Sequence, residues 1–144
     1  MPEPEPAGQE VSDSTLDEML AAARAIMPRA YVPYSHFRVG AALLNEDGTI
    51  RPGVNIENAS YPLSVCAERN AVGSMVISGH GRILAVAVAT DAPTPTPPCG
   101  GCRQVLWEFG DADTPVVAEG AGGVRARWRL GDLLPDAFGP DDLR

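Results

Sequence analysis

The sequence has few cysteines and no long hydrophobic run, and each shortage excludes a class of protein. All three cysteines lie in two short motifs, so none is left over for the disulfide framework of a small secreted domain. The longest apolar run, residues 83–89, is far too short to span a bilayer and is typical of a buried strand. The acidic, proline-rich amino end shows no signal-peptide pattern. We therefore expect a cytoplasmic protein that does not enter a membrane.

Positive charge is also scarce. The formal net charge is −8, and nucleic-acid binding depends on contacts from Lys and Arg to phosphate. Arg125, Arg127 and Arg129 alternate near the carboxyl end, but at strand spacing such a row is typical of a solvated sheet edge. We therefore expect no nucleic-acid partner, whereas a small neutral substrate is compatible with the acidic balance.

The length of 144 residues fits one domain that can bury a core of its own. Residues 1–12 are rich in proline and glutamate, which predicts a disordered tail and leaves residues 13–144 as the domain. In that part, patterns typical of strands alternate with patterns typical of helices. This alternation predicts an α/β fold with three layers, α/β/α, around a central mixed sheet.

Helix caps, prolines and turn residues indicate where the helices and strands begin and end. The first predicted helix has Ser14 or Thr15 as its cap and runs to about Met27, where Pro28 ends it. A turn signal at residues 45–48 predicts a hairpin between strands at residues 39–44 and 49–55. The Pro-Gly pair in the second strand indicates an edge position or a bulge. The remaining predictions are helices at residues 65–78, 101–109 and 131–134, and strands at residues 83–89, 116–118 and 124–130.

The two cysteine motifs carry the chemistry. One is Cys66-Ala67-Glu68, and the other is Pro98-Cys99-Gly100-Gly101-Cys102. Three thiolates fill three corners of a zinc tetrahedron and leave the fourth for water, which is the layout of a catalytic site. The carboxylate of Glu68 is two residues from a ligand, so it can lie beside that water without binding the metal. The pattern predicts a catalytic Zn²⁺ site with Cys66, Cys99 and Cys102 as ligands.

Both motifs fall at predicted helix starts. The unpaired N–H groups and the positive end of the helix dipole there can reduce the negative charge of the thiolates. Arg69 follows Glu68 and can add a guanidinium next to the ligands.

The cysteines also allow two other interpretations. One is a structural zinc site closed by His36 or His80, which leaves Glu68 without a role. The other treats the cysteines as buried apolar residues, which their spacing at a helix start does not favour.

Several longer segments resemble the small homotetrameric cytidine deaminases. They are Tyr34-Ser-His-Phe-Arg-Val-Gly-Ala-Ala-Leu43, Asn55-Ile-Glu-Asn-Ala-Ser-Tyr61, Cys66-Ala-Glu-Arg69, Pro98-Cys-Gly-Gly-Cys-Arg-Gln-Val105 and Leu133-Leu-Pro-Asp-Ala-Phe138. The resemblance covers nearly the whole chain from about residue 22 to residue 143. The chain departs from the family at Pro97, where serine is usual, and at Gly101, where alanine is usual.

The resemblance implies a role for each matching position. Cys66, Cys99 and Cys102 bind zinc, Glu68 transfers protons, and Arg69 bonds the ligand thiolates. Asn55 and Glu57 hold the ribose hydroxyls, Phe37 packs on the pyrimidine, the backbone at Ala67 orients the base, and Phe138 reaches the ligand of a neighbouring subunit. Asn55 and Glu57 are two apart, so on a strand both would leave the same face.

The resemblance also implies the function. We expect a hydrolase that deaminates cytidine and deoxycytidine in pyrimidine salvage, with a nucleoside as its partner and a homotetramer as its assembly. Two rivals are a deaminase of another aminopyrimidine nucleoside, such as a nucleoside antibiotic, and a zinc-stabilised binding module without turnover.

Overall fold

A computed structural model describes residues 10–144. Most of the predicted disordered tail, residues 1–9, lies outside the described residues, so its disorder stays a prediction. The elements follow in the order α1 (Asp13–Ile26), β1 (Val39–Asn45), β2 (Ile50–Val54), α2 (Ala67–Ile77), β3 (Ile83–Thr90), α3 (Gly100–Phe109), β4 (Pro115–Glu119), β5 (Arg125–Arg129) and α4 (Leu130–Leu133). Short 3-10 helices lie at Met27–Arg29, Tyr61–Leu63 and Pro140–Leu143.

The five strands form one mixed sheet in the order β2-β1-β3-β4-β5. Strand β1 is antiparallel to β2 and β3, and β4 is antiparallel to β5. Only the pair β3–β4 is parallel among these strands. A parallel pair needs a crossover connection, and here that connection contains α3.

Helices cover both faces of the sheet, which confirms the predicted three layers. Successive residues of a strand point to opposite faces, and β1 shows this directly. Ala41 and Leu43 pack in the core under α2 and α3, whereas Ala42 and Leu44 pack in the core under α1.

The cap of α1 lies two residues before Ser14, the first of the two predicted caps. Ser12, which the sequence placed at the end of the tail, is the cap because its side-chain oxygen accepts a 3.1 Å hydrogen bond from the Thr15 amide. The predicted apolar face is correct, since Leu16, Met19 and Leu20 are buried. The helix gives way to a 3-10 turn at Pro28, as the missing N–H of proline requires.

The predicted hairpin forms, and its outer strand lies at the sheet edge as the Pro-Gly pair indicated. Gly53 in that strand has a packing role. A Cβ atom there would lie 2.5 Å from the carbonyl oxygen of Ala67 and from the amide nitrogen of Ala71. Glycine therefore allows the first turn of α2 to lie directly on β2, which places the amino end of α2 over this part of the sheet.

The other edge strand, β5, carries the alternating arginines, all of them exposed. Arg125 lies 2.6 Å from Asp17, and Arg127 lies 3.4 Å from Asp13. The row is therefore a solvated edge, as predicted. Within residues 10–144, no helix combines the length and the apolar character that crossing a bilayer requires.

Candidate active site

The three cysteines meet at the amino ends of two helices. Cys66 is the N-cap of α2, Cys99 is the N-cap of α3, and Cys102 lies in the first turn of α3. Their sulfur atoms lie within 4.8 Å of one another, with 3.9 Å between Cys66 and Cys99. Thiolates that share one zinc at about 2.3 Å are separated by about 3.8 Å. The donor set and its spacing therefore fit a zinc ion.

The electrostatics of this group favour thiolates. The pKa of Cys66 is lowered to about 5, first because Cys102 donates a hydrogen bond to it and then because Arg69 does. The Nη2 atom of Arg69 lies 3.6 Å from the Cys66 sulfur. The pKa of Cys102 is raised by its donation to Cys66 and by burial. The lowered pKa of Cys66 favours its thiolate form, which is the form that binds a metal.

Glu68 lies in the first turn of α2, and the fold buries it. Only 4% of its surface is exposed. Burial removes water from the carboxylate and raises its pKa to about 7, and the negative charge of Cys66 acts in the same direction. A carboxyl group that titrates near neutral pH can both take up and give back a proton during turnover.

A cavity of about 260 Å³ opens beside Cys66 and Glu68. Its lining residues are Phe37, Val39, Asn55, Cys66, Ala67, Glu68, Val88, Thr90, Thr96, Pro97 and Cys99. Five of these, at positions 39, 88, 90, 96 and 97, are not among the site residues that the sequence predicts. Val39 begins β1, and the other four lie in the strand and loop that lead to Cys99, which was their only sequence signal.

A second cavity, of about 360 Å³, lies between α1 and β5. Its polar lining residues are Asp13, Asp17, Arg125 and Arg127, which pair with one another as described above. It has no thiol and no unpaired catalytic group in its lining. The smaller cavity, which is lined by thiols and by Glu68, is therefore the candidate active site.

The side chains of Asn55 and Glu57 both form hydrogen bonds with the backbone at the loop before β1. Asn55 accepts a 2.9 Å hydrogen bond from the Val39 amide and donates one of 2.9 Å to the Phe37 carbonyl. Glu57 accepts from the amides of Tyr34 and Ser35 at 3.0 and 3.1 Å. The pKa of Glu57 is lowered, first by a hydrogen bond from the Ser35 side chain and then by these two amides.

Strand β2 ends at Val54, so the strand face that the sequence predicted for this pair is not formed by β2 itself. Asn55 lines the cavity, whereas Glu57 is outside its lining. The ribose role of both residues stays a prediction.

The three remaining substrate residues lie in different settings. Phe37 lines the cavity and is 36% exposed, and Ala67 lines it while fully buried. Phe138 is 60% exposed and outside the cavity lining. Its carbonyl accepts a 2.7 Å hydrogen bond from Gln104 of α3. The structure thus brings Phe37 and Ala67 to the site but leaves Phe138 apart from it within one chain.

Neither histidine joins the cysteine group. His80 lies in the turn between α2 and β3, and its two ring nitrogens contact the β1–β2 turn, 2.9 Å from Glu46 and 3.1 Å from Asp47. His36 lies in the loop before β1 with a positive φ of 58°. The fold therefore does not place a histidine where it could be the fourth ligand of a structural zinc site.

Comparison with known proteins assigns the family. The model of the cytidine and deoxycytidylate deaminase zinc-binding region matches residues 13–118. The chain belongs to this family of zinc-binding deaminases. The matched residues include all three cysteines and the buried glutamate. The predicted zinc cofactor and the hydrolase class are therefore confirmed.

Relatives and solved structures agree with this assignment. The cytidine deaminase of Halalkalibacterium halodurans is 45% identical over 130 residues, which cover 89% of this chain and 98% of the relative. That of Mycobacterium tuberculosis is 51% identical over 114 residues, or 79% and 82% of the two chains.

Among solved structures, the cytidine deaminase of Burkholderia pseudomallei superposes with a TM-score of 0.81 at 45% identity, covering 85% of this deaminase and 98% of the other. The Mycobacterium tuberculosis structure gives 0.77 at 42% identity, with 90% and 99% covered. The predicted fold class is therefore confirmed.

Proposed function

We propose that this deaminase hydrolyses cytidine and deoxycytidine to uridine and deoxyuridine with release of ammonia, as in pyrimidine salvage. The observation that carries the proposal is the burial of Glu68 beside three thiols whose sulfurs lie within 4.8 Å of one another. Relatives that are 45% and 51% identical are cytidine deaminases, which supports the choice of substrate.

Cys66, Cys99 and Cys102 hold the zinc in this proposal. When bound, zinc lowers the pKa of a water molecule toward ~7 and so supplies hydroxide at neutral pH. The N–H groups at the starts of α2 and α3, together with the Arg69 guanidinium, reduce the charge of the three thiolates. The site then remains electrophilic enough to acidify water.

Glu68 transfers the protons. It accepts one from the attacking water and gives it to the ring nitrogen next to the amine-bearing carbon, which makes that carbon electrophilic. After hydroxide has added, Glu68 transfers the proton of the new hydroxyl to the amine, which leaves as ammonia. The pKa of about 7 suits a group that acts as base and then as acid.

Three cavity residues and Glu57 hold the nucleoside. Phe37 packs on the pyrimidine ring, and the Ala67 backbone, at the start of α2, orients the base. Asn55 and Glu57 bind the ribose hydroxyls, since an amide and a carboxylate together accept and donate to a sugar. Each residue of this pair also anchors the loop that carries Phe37, so sugar binding and base stacking are coupled.

The assembly in this proposal is a homotetramer in which Phe138 completes a neighbour's site. Phe138 is 60% exposed, and further apolar side chains are exposed beside the loop before β1. Among them, Tyr34 and Tyr61 form an edge-to-face pair with ring centroids 6.3 Å apart. Clustered exposed aromatic residues are typical of an interface.

Three thiols that must remain reduced also fit a cytoplasmic location.

A single assay tests the function. The purified protein is incubated with cytidine, deoxycytidine or free cytosine, the loss of ultraviolet absorbance is followed, and zinc is measured in the same sample. We expect one zinc per chain, turnover of both nucleosides, and little turnover of cytosine. Zinc without turnover of any nucleoside would favour the binding module, and turnover restricted to another aminopyrimidine nucleoside would correct the substrate.

A further inference from the structure

Two loops supply walls of the active-site cavity. The first loop, residues 31–38, carries Phe37, and the second loop, residues 91–98, carries Thr96 and Pro97. All three side chains line the cavity. The distance between the two loops therefore sets the width of the space in which a pyrimidine would lie.

One pair of residues joins the two loops. Arg38 donates from Nε to Oδ2 of Asp91 and from Nη2 to Oδ1, each at 3.0 Å. The Arg38 amide donates to the same carboxylate at 3.0 Å, and the Asp91 amide donates to the Arg38 carbonyl at 3.3 Å. Two parallel charge-assisted bonds fix orientation as well as distance.

This pair continues the β1–β3 ladder past its last strand pair. That last pair is Val39 opposite Thr90, and both of these residues line the cavity. Arg38 and Asp91 are the next residues outward on the two strands. The Arg38–Asp91 pair, called the clamp below, therefore lies directly beside the cavity. Arg38 is one residue from Phe37, and Asp91 is one residue from Thr90.

The other anchors hold each loop separately. The first loop is fixed to residues 55–57 through the side chains of Asn55 and Glu57. The second loop is fixed by the Thr90 hydroxyl, 3.3 Å from that of Thr96, and by a 2.7 Å bond from the Ala121 amide to Ala92. In the described part of the chain, every hydrogen bond between the two loops joins Arg38 to Asp91.

The charges of the pair are complementary and accessible to solvent. The Arg38 guanidinium holds the pKa of Asp91 below its ordinary value, so the carboxylate is ionised at neutral pH. The side chains are 45% and 31% exposed. For an ion pair exposed to this degree, the contribution to global stability is small, which leaves local positioning as its main effect.

We propose that Arg38 and Asp91 are positioning residues that hold Phe37 and the second loop at the separation required to bind the pyrimidine. The inference rests on the proposed function, because the bound molecule is a nucleoside. It predicts an effect on the Michaelis constant and not on the chemical step, since the pair contacts neither Glu68 nor the cysteines.

The test compares Arg38→Gln, Asp91→Asn and the double variant with the wild type. Arg127→Gln is the matched control, because Arg127 is a 49% exposed arginine in an ion pair at the opposite edge of the sheet. KM and kcat for cytidine, zinc content, and hydrogen exchange of the amides in both loops are measured for each protein.

We expect each single variant to raise KM about three- to tenfold, the range of a bidentate but partly exposed pair, with kcat within about twofold. The double variant should be no worse than either single variant, since the two changes remove the same interaction. Amides in both loops should exchange faster, zinc content should stay at the wild-type level, and Arg127→Gln should match the wild type.

Three results would overturn the clamp: an unchanged KM in both single variants, multiplied effects in the double variant, or an equal rise in Arg127→Gln. A wild type that consumes no cytidine would refute the proposed function instead. Hydrogen exchange would then decide the clamp, because faster exchange in both loops of Arg38→Gln supports the coupling and unchanged exchange refutes it.

Discussion

The guanidinium of Arg69 lies 3.6 Å from the sulfur of Cys66, one turn along α2 from the thiol that caps this helix. The pKa of Cys66 is lowered first by the hydrogen bond from Cys102 and then by this contact. We therefore predict that Arg69 supports zinc binding without being a ligand, by favouring the thiolate form of Cys66.

Replacing Arg69 should weaken zinc binding in a pH-dependent way. In Arg69→Gln the pKa of Cys66 should rise, so zinc should compete with a proton on this thiol more strongly than in the wild type, above all at low pH. We expect a zinc affinity about tenfold lower, with a larger loss at pH 6 than at pH 8.5. Competition with a chelator at both pH values measures it, with Cys66→Ala as the zinc-free reference and Arg129→Gln as the surface control. An equal loss at both pH values would contradict the mechanism.

Replacing Glu68 should separate binding from chemistry. Glu68→Gln keeps the hydrogen-bonding shape but cannot accept a proton, so turnover should fall about 100- to 10,000-fold. Zinc content and nucleoside binding should stay close to wild type, as measured by elemental analysis and by equilibrium dialysis with cytidine. If the variant turned over cytidine within tenfold of wild type, Glu68 would have no part in the mechanism.

The same substitution should change how stability depends on pH. Burial raises the pKa of Glu68 from 4.5 to about 7, a rise that corresponds to about 3 kcal/mol. The folded state prefers the protonated acid, so the contribution is complete below pH 4.5 and is lost as pH rises through 7.

Glutamine cannot ionise, so Glu68→Gln should gain stability relative to wild type between pH 4.5 and pH 8. Denaturant unfolding of both proteins after treatment with the same chelator measures this. If the difference in unfolding free energy between the two proteins did not change with pH, folding would not raise the pKa of Glu68.

The sugar contacts are tested at Glu57. Losing a charge-assisted hydrogen bond to a hydroxyl removes roughly 1.5–3 kcal/mol of binding, so Glu57→Ala should raise the KM for cytidine about 10- to 100-fold. Because Glu57 also accepts from the Tyr34 and Ser35 amides, Glu57→Gln serves as the matched variant that keeps an acceptor there. If free cytosine were as good a substrate as cytidine in the wild type, the ribose role would be wrong.

Phe138 tests the shared site. Base–aromatic stacking is worth about 1–3 kcal/mol, so Phe138→Ala should weaken nucleoside binding while zinc content stays constant. Mixing Phe138→Ala with Glu68→Gln chains under subunit exchange creates sites that pair an intact Glu68 with a neighbour's intact Phe138. Activity per intact Glu68 should then exceed that of Phe138→Ala alone. A monomeric elution profile, or no such increase after confirmed exchange, would refute the arrangement.

The sequence by itself determined the elements and the zinc-binding class of the protein. Hydrophobic periodicity and the turn signals placed every strand to within about two residues, because these are local properties of the chain. The spacing of Cys66, Cys99 and Cys102 predicted a zinc site with an open coordination position, and the fold does bring the three sulfurs within 4.8 Å of one another. The cap of α1 was misplaced, since Ser12, Ser14 and Thr15 are equally good caps by residue type and packing of α1 on the sheet chooses among them.

Only the tertiary structure decided what surrounds the metal ligands. Arg38 and Asp91 are 53 residues apart, and no local pattern pairs them. The burial of Glu68, which raises its pKa, comes from helices packed on a sheet formed by distant strands. The roles of Asn55 and Glu57 as anchors of the loop before β1 also depend on where β2 ends. Such contacts depend on loop closure and on packing between layers, which residue types in sequence do not specify.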